Sequence, residues 1–118
     1  MNTIKRILGC KRTGGFSISY SGQARLYRDG SAALPVSFTS SHEATVEEFY
    51  LIAGGKKFHS AGWKPLAVSG TQQGDYRFNL SEIVAAAGEE AVAKLYLVAV
   101  AGGREYRSAP FSLESLIK

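Results

Sequence analysis

Two segments of this sequence say nearly the same thing. Residues 53–61 read AGGKKFHSA and residues 101–109 read AGGREYRSA. Each has Gly-Gly, a basic residue, a variable residue, an aromatic, another variable residue and Ser-Ala. An apolar stretch precedes each, Phe49-Tyr50-Leu51-Ile52 in the first and Tyr96-Leu97-Val98-Ala99-Val100 in the second. Gly-Gly between two such runs signals a tight hairpin, because both turn residues can take positive φ without a Cβ penalty. In the later copy Leu95, Leu97 and Ala99 alternate with Tyr96, Val98 and Val100, and residues 104–107 supply the returning strand. The echo predicts two β-hairpins. Two copies do not make a solenoid, for which three repeats are the minimum.

That echo bears on an ambiguity in residues 40–53. Ser40 and Glu43 have capping-box spacing, and Val46, Phe49, Tyr50 and Ala53 recur at helical spacing before Gly54. Read instead as a strand, Thr45, Glu47, Phe49 and Leu51 share one face, with Val46, Glu48, Tyr50 and Ile52 on the other. The likeness to the second hairpin favours the strand.

Elsewhere the period is mostly two. Phe16, Ile18 and Tyr20 form one run; Ala24 and Leu26 form another after Ser21-Gly22; Leu34, Val36 and Phe38 form a third after Asp29-Gly30. Pro35 lacks an N–H, which places its run at a sheet edge or ahead of the regular ladder. Trp63 to Val68 continues into a further short strand, with Pro65 against an interior position. Residues 69–75, Ser-Gly-Thr-Gln-Gln-Gly-Asp, read as a long polar loop before Tyr76, Phe78 and Leu80 recover the β period. Residues 81–93 carry helical content, begun by Asn79 and Glu82 and interrupted at Gly88. Phe111, Leu113, Leu116 and Ile117 suit a short docked terminal element.

About seven short β segments in 118 residues predict one compact all-β domain. The expected architecture is an antiparallel β-sandwich with one or two short helices; a small β-barrel is the alternative. Residues 16–118 form that domain, and residues 1–15 form a basic N-terminal arm or short helix in which Ile4, Ile7 and Leu8 share helical spacing. The last 30 residues resemble the final hairpin of an immunoglobulin-like or fibronectin type III-like sandwich: Tyr96, Val98 and Val100 lead into Gly102-Gly103, then Ser108 and Pro110. The resemblance implies a sandwich and carries no activity with it. The paired cysteines of an immunoglobulin domain are missing, since Cys10 is the single cysteine.

Charge is uneven. The net charge is +4, yet residues 1–30 hold six basic residues and one acid, leaving the remaining 88 at −1. Lys5, Arg6, Lys11 and Arg12 suit phosphate contacts, and Arg25, Tyr27 and Arg28 extend such a surface over a β face with an aromatic for base stacking. Nucleic acid is therefore one expected partner. Ile7-Leu8-Gly9-Cys10 looks like a lipoprotein cleavage site, but Lys5 and Arg6 leave no hydrophobic run before it. No run approaches the roughly 20 apolar residues of a membrane helix. The expected setting is cytoplasmic or virion-associated, as in a phage protein.

Catalytic signatures are absent from the sequence. There is no GxGxxG, no phosphate-binding GxxxxGK[ST] and no GxSxG. One cysteine and two histidines, His42 and His59, cannot build a Cys-rich zinc site. No cofactor, metal or catalytic residue is expected, and a small enzyme is the least favoured reading. The leading expectation is a non-enzymatic structural or protein-interaction module in a larger assembly, with a protein partner or homo-oligomer. Its candidate contacts are the hairpin residues Phe58, His59, Trp63, Arg104, Tyr106 and Arg107, which combine aromatic anchors with basic flanks.

Overall fold

The structure, a computed structural model, describes residues 15–117. Seven strands among them make one antiparallel sheet: β1 Phe16–Tyr20, β2 Arg25–Leu26, β3 Ser31–Ala53, β4 Lys56–His59, β5 Leu66–Asn79, β6 Tyr96–Ala101 and β7 Arg104–Arg107. Helix α1 (Leu80–Ala87) and a 3-10 segment (Glu89–Ala93) carry the chain from β5 to β6, and α2 (Glu114–Ile117) follows β7. The mostly β, antiparallel class expected from the sequence is what the chain adopts.

Every other strand of the sheet except β7 pairs with β3. Its partners fix the two flanks. β5 pairs with β3 from Ser31 to Val46, while β1 and β2 pair with it at Phe38, Val36 and Ala32 on the opposite side. Farther along, β6 takes the β1 flank and β4 the β5 flank. A straight strand of 23 residues would run about 76 Å at the usual ~3.3 Å per residue. The whole molecule is only 54 Å long, so β3 must bend. It does so where its pairing with β5 shifts register between Ser40 and Ala44. The amino-terminal half of the sheet then lies over the carboxy-terminal half. Two layers form from one curled sheet.

The core fills the space between those halves. Ala32, Leu34, Val36 and Phe38 face it from the first half of β3, and Val46, Phe49, Leu51 and Ala53 from the second. The parity changes because Glu47 is an extra residue: Val46 pairs with Ala101 and Glu48 with the adjacent Val100. A bulge of this kind turns the following side chains over. The unbulged reading, which put Val46 opposite Phe49 and Leu51, is thereby corrected. Phe49 is the keystone, with ring centroids 5.4 Å from Phe38, 5.0 Å from Tyr76, 5.7 Å from Phe78 and 5.3 Å from Trp63. Edge-to-face contacts such as these add to the burial of the rings themselves.

Two other expectations change. Residues 69–75 are not a loop but the middle of β5, paired with β3 from Gly70 opposite Ser40 to Asp75 opposite Pro35. Their polarity reflects a strand open to water along most of its length rather than a break in the ladder. Likewise Leu34–Thr39 and Thr45–Ile52 are not separate strands but one. Pro35 sits inside that central strand, not at an edge. The gap between β1 and β2 lies beside it, and its carbonyl accepts the Ser21 N–H at 2.9 Å. The donor that proline lacks falls where no neighbouring strand needs it.

The helical segment is as the sequence reads. Asn79 caps α1 by accepting the Glu82 N–H at 3.0 Å, and Gly88 ends it at φ 92°. Leu80 and Ile83 of α1 seal one end of the core, and Phe111 bridges Leu95 through paired backbone hydrogen bonds of 2.8 Å.

Candidate interaction surfaces

The two Gly-Gly hairpins lie side by side as β4-β3-β6-β7. Their turns use the predicted geometry, with φ of 57° and 79° at Gly54 and Gly55 and of 61° and 77° at Gly102 and Gly103. Since β3 and β6 are antiparallel, those turns point to opposite ends of the sheet. One contact cannot span both tips. The register has a further property: matching the two echoes makes Tyr50 equivalent to Val98, and these two residues pair with each other. A local two-fold relation passes through that pair.

This arrangement sorts the candidate residues. Phe58 pairs with Leu51, and Tyr106 with Ala99, so both aromatics are half-buried against the core. Trp63 is half-buried there too, and its Nε1 donates to the Glu47 carbonyl at 3.4 Å, satisfying a backbone oxygen at the bulge. These three rings are committed mainly to packing. His59 and Arg107 instead share the outward row His59–Tyr50–Val98–Arg107. Lys57 lies over the Tyr50 ring at 4.7 Å, Arg107 over Tyr96 at 5.1 Å, and the Tyr50 hydroxyl donates to Glu105 at 3.0 Å. Tyr50 is only 2% exposed on this outward face. Long charged side chains roof it. Burial first, then the hydrogen bond that the hydroxyl donates to Glu105, raises the Tyr50 pKa above its ordinary value.

Arg104 is separated from that row. It lines an open cleft of about 460 Å³ with His42, Glu43, Glu47 and Tyr106, beside the bend in β3. Nucleophilic chemistry finds no ready pair here, because the Ser40 hydroxyl donates to the backbone carbonyl of His42 rather than to an imidazole. No three His, Cys, Asp or Glu side chains among the described residues gather as a metal site.

Of the nucleic-acid candidates, Lys5, Arg6, Lys11 and Arg12 lie outside the described residues. Arg25, Tyr27 and Arg28 are all exposed, on β2 and the turn after it. Arg77, which the sequence did not single out, stacks on Tyr27 with its guanidinium 3.9 Å from the ring centroid. Asp29 in the same turn accepts from the Ser31 hydroxyl at 2.6 Å and backbone N–H at 2.9 Å, and these bonds lower its pKa. Leu26 and Tyr27, the most exposed large hydrophobic residues at 48% and 37%, line a second cleft with Val84 and Leu116. Residues 15–117 hold nine basic and ten acidic side chains, so the chain's positive excess lies outside them.

The surface that sequence reasoning missed is the free flank of β5. Among the described residues β5 pairs only with β3. Three carbonyls show which of its backbone groups face outward. Ser31 and Pro35 on β3 accept from Tyr27 and Ser21, on the flank away from β5, while Arg77 on β5 accepts from Ala61 at 2.9 Å. In an antiparallel ladder a residue's N–H and C=O point the same way and alternate along the strand. Thr71, Gln73 and Asp75 therefore present their N–H and C=O groups away from β3. The Thr39 and Thr71 hydroxyls, 3.2 Å apart, fit the close side-chain approach of such a pair. The outward face beside this edge carries Ser17, Ser19, Ser37, Thr39, Thr71 and Gln73, with Asp75 and Arg77 continuing the row toward the end of β5.

No helix among the described residues is long and apolar enough to cross a membrane. No protein-family model matches this sequence, and no curated protein is significantly similar to it.

Proposed function

We propose that the chain is a non-enzymatic structural or protein-interaction module of a larger assembly, in a cytoplasmic or virion-associated setting. The observation that carries this is the β5 edge. Among the described residues nothing pairs with its backbone groups at Thr71, Gln73 and Asp75, which lie beside a mainly hydroxyl- and amide-bearing face. Proteins ordinarily blunt a long edge with charge, proline or a covering segment, because a bare one recruits another strand. Strand addition draws affinity from main-chain hydrogen bonds and is a common mode of protein recognition. The likeness of the last hairpin to immunoglobulin-like and fibronectin type III-like domains supports the reading as analogy of fold only. His59 and Arg107, which share one outward row, would serve as the polar part of a separate contact face, and Arg104 with the exposed margins of Phe58, Trp63 and Tyr106 lies off that row. The test is a photo-activated cross-linking residue at Gln73, with Glu82 on exposed α1 as the control, in the protein's native cells. Adducts from Gln73 and not from Glu82 are expected. No adduct from either position overturns the proposal.

A second reading rests on a separate observation, the Arg77–Tyr27 stack with Arg25 and Arg28 nearby. It makes the chain a small basic β domain that binds nucleic acid, with the amino-terminal arm supplying phosphate contacts. Anisotropy of labelled single- and double-stranded oligonucleotides across a salt series tests it. Arg25→Ala and Arg28→Ala should each reduce the salt slope by about 1 if they contact phosphates. Reversing the charges of Lys5, Arg6, Lys11 and Arg12 should weaken binding further. Absence of binding to either oligonucleotide at low salt removes this reading.

A further inference from the structure

The geometry points to a second copy of this chain as the strand that pairs with β5, in an antiparallel two-fold arrangement centred on Gln73. The inference rests on the interaction reading above and specifies its partner. Three observations select the edge and the register.

The first is how differently the sheet's edges are defended. β4 and β7 are four residues each, and they carry Lys56 and Lys57, and Arg104, Glu105 and Arg107, respectively, while β1 is uncharged but only five residues long. Short, charged edges discourage strand addition. β5 has 14 residues, and from Leu66 to Gly74 it has neither a charge nor a proline. The end nearest Arg77 is already occupied, since that carbonyl accepts from Ala61. What remains is the stretch around Thr71, Gln73 and Asp75.

The second is self-complementarity. Pairing two copies about Gln73 sets Gln73 opposite Gln73 of the second copy, and Thr71 opposite Asp75 of the second copy in both directions. The three outward-facing residues then form three hydrogen-bonded pairs, each exchanging both N–H···O bonds. No like charges meet. Centring the pair on Asp75 instead would bring two carboxylates together and require the Arg77 backbone that Ala61 holds. Centring it on Thr71 would run into Gly70, which has φ 75° and lies at the register shift beside Ser40. Only the Gln73 register uses the whole regular stretch.

The third is side-chain chemistry. Serine, threonine, glutamine and, at one end, Asp75 line the outward face here, with no large apolar group to select a foreign partner. Backbone pairing, which any copy of the same strand satisfies, supplies the recognition. The contact is small by the standards of stable complexes, so the dimer is weak, with a dissociation constant on the order of 100 μM.

Sedimentation of the full chain from about 10 μM to about 1 mM tests the inference, because self-association depends on protomer concentration. The average mass should rise from 12.7 kDa toward twice that value. Gln73→Lys places like charges opposite each other on an exposed residue, and should weaken association about tenfold or more while leaving the far-ultraviolet circular dichroism unchanged. Gln73→Pro, whose lost N–H serves no bond among the described residues, should do the same. For register, Gln73→Cys in a Cys10→Ser background should form a disulfide dimer under mild oxidation, whereas Arg77→Cys, opposite Ser69 of the second copy, should not. A chain that stays monomeric at the highest concentration, or that cross-links no better through Gln73→Cys than through Arg77→Cys, overturns the inference. The in-cell adducts separate the two proposals. Gln73 adducts of about twice the chain mass support the second copy; adducts of other masses alone sink it and leave the interaction reading standing; no adducts sink both.

Discussion

The hairpin β3–β4 and the hairpin β6–β7 share a sequence pattern, a turn conformation and a core-facing aromatic, yet their surroundings differ. Lys56 of the first hairpin donates to the Ala86 carbonyl on α1 at 3.1 Å, so that tip packs beside a helix. At the second tip a Cβ built on Gly102 or Gly103 would meet nothing within 4 Å. Ser108, at the end of the second hairpin, donates its N–H to the Leu97 carbonyl and accepts the Leu97 N–H on its hydroxyl, both at 2.9 Å. Its hydroxyl also donates to the Ala109 carbonyl. Ser60, the corresponding residue of the first hairpin, is equally buried, but its hydroxyl has no hydrogen-bond partner. Local sequence sets the turn in both cases. What each shared residue contributes depends on what the rest of the fold brings against it.

The turn glycines give the largest predicted contrast. Gly54 and Gly102 have nearly the same φ, 57° and 61°, so alanine at either position carries the left-handed penalty of roughly 1–2 kcal/mol. A Cβ on Gly54 would also lie 3.3 Å from the Ala87 Cβ, whereas one on Gly102 meets nothing within 4 Å. Gly54→Ala should therefore cost about 1 kcal/mol more than Gly102→Ala, because α1 must shift to admit it. Urea unfolding of the two variants measures the difference. Equal losses would mean that α1 does not bear on the first turn.

The hairpins were the legible part of the sequence, because Gly-Gly and the alternating apolar residues act over a few positions. Strand continuity was not. The switch of parity at Glu47 depends on β6 pairing around one extra residue, and a partner such as Val100, 52 positions beyond Glu48, leaves no local mark. Residues 69–75 looked like a loop for a related reason. Gln72 and Gly74 occupy core-parity positions, but Gln72 is exposed and a Cβ on Gly74 would lie 3.2 Å from the Tyr76 ring, so neither position carries an apolar side chain. Pro35 misled because its edge preference was satisfied by a gap between two short strands. Among the candidate contacts, aromatic identity alone could not separate Phe58, Trp63 and Tyr106, which pack inward, from His59 and Arg107, which face water. Backbone parity separates them once the register is known. The β5 edge could not be found while its middle read as a loop.

The serines provide the next contrast. Ser108→Ala leaves the fully buried Leu97 N–H without its side-chain acceptor, and should cost about 1–3 kcal/mol. Ser60→Ala removes a buried hydroxyl that bonds to nothing, so it should be neutral or slightly stabilising. Chemical denaturation of both variants decides the matter. A loss at Ser60 as large as that at Ser108 would show that the two sites are equivalent after all.

The smallest effect, and the one that joins the two hairpins, belongs to Tyr50 on their shared axis. Its pKa is raised above 10.0 by burial first and then by its hydrogen bond to Glu105 and that residue's charge. In the unfolded chain the phenol ionises near 10.0, while the folded chain holds the proton to higher pH. Above that point the unfolded state binds fewer protons than the native state, so stability falls as pH rises. The contribution is fully present below pH 10 and is lost in the alkaline range. Tyr76, also raised by burial, acts in the same direction. Tyr50→Phe should therefore cost no more than about 1 kcal/mol at pH 7, where it removes one bond to a solvent-exposed carboxylate. Above pH 10 its stability should decline less steeply than that of the wild type, with the Tyr76 share of the decline remaining. Glu105→Gln removes the acceptor's charge but keeps an acceptor oxygen, and should flatten the same decline by a smaller amount. Parallel alkaline slopes for the wild type and Tyr50→Phe would show that Tyr50 and Glu105 do not couple the two hairpins.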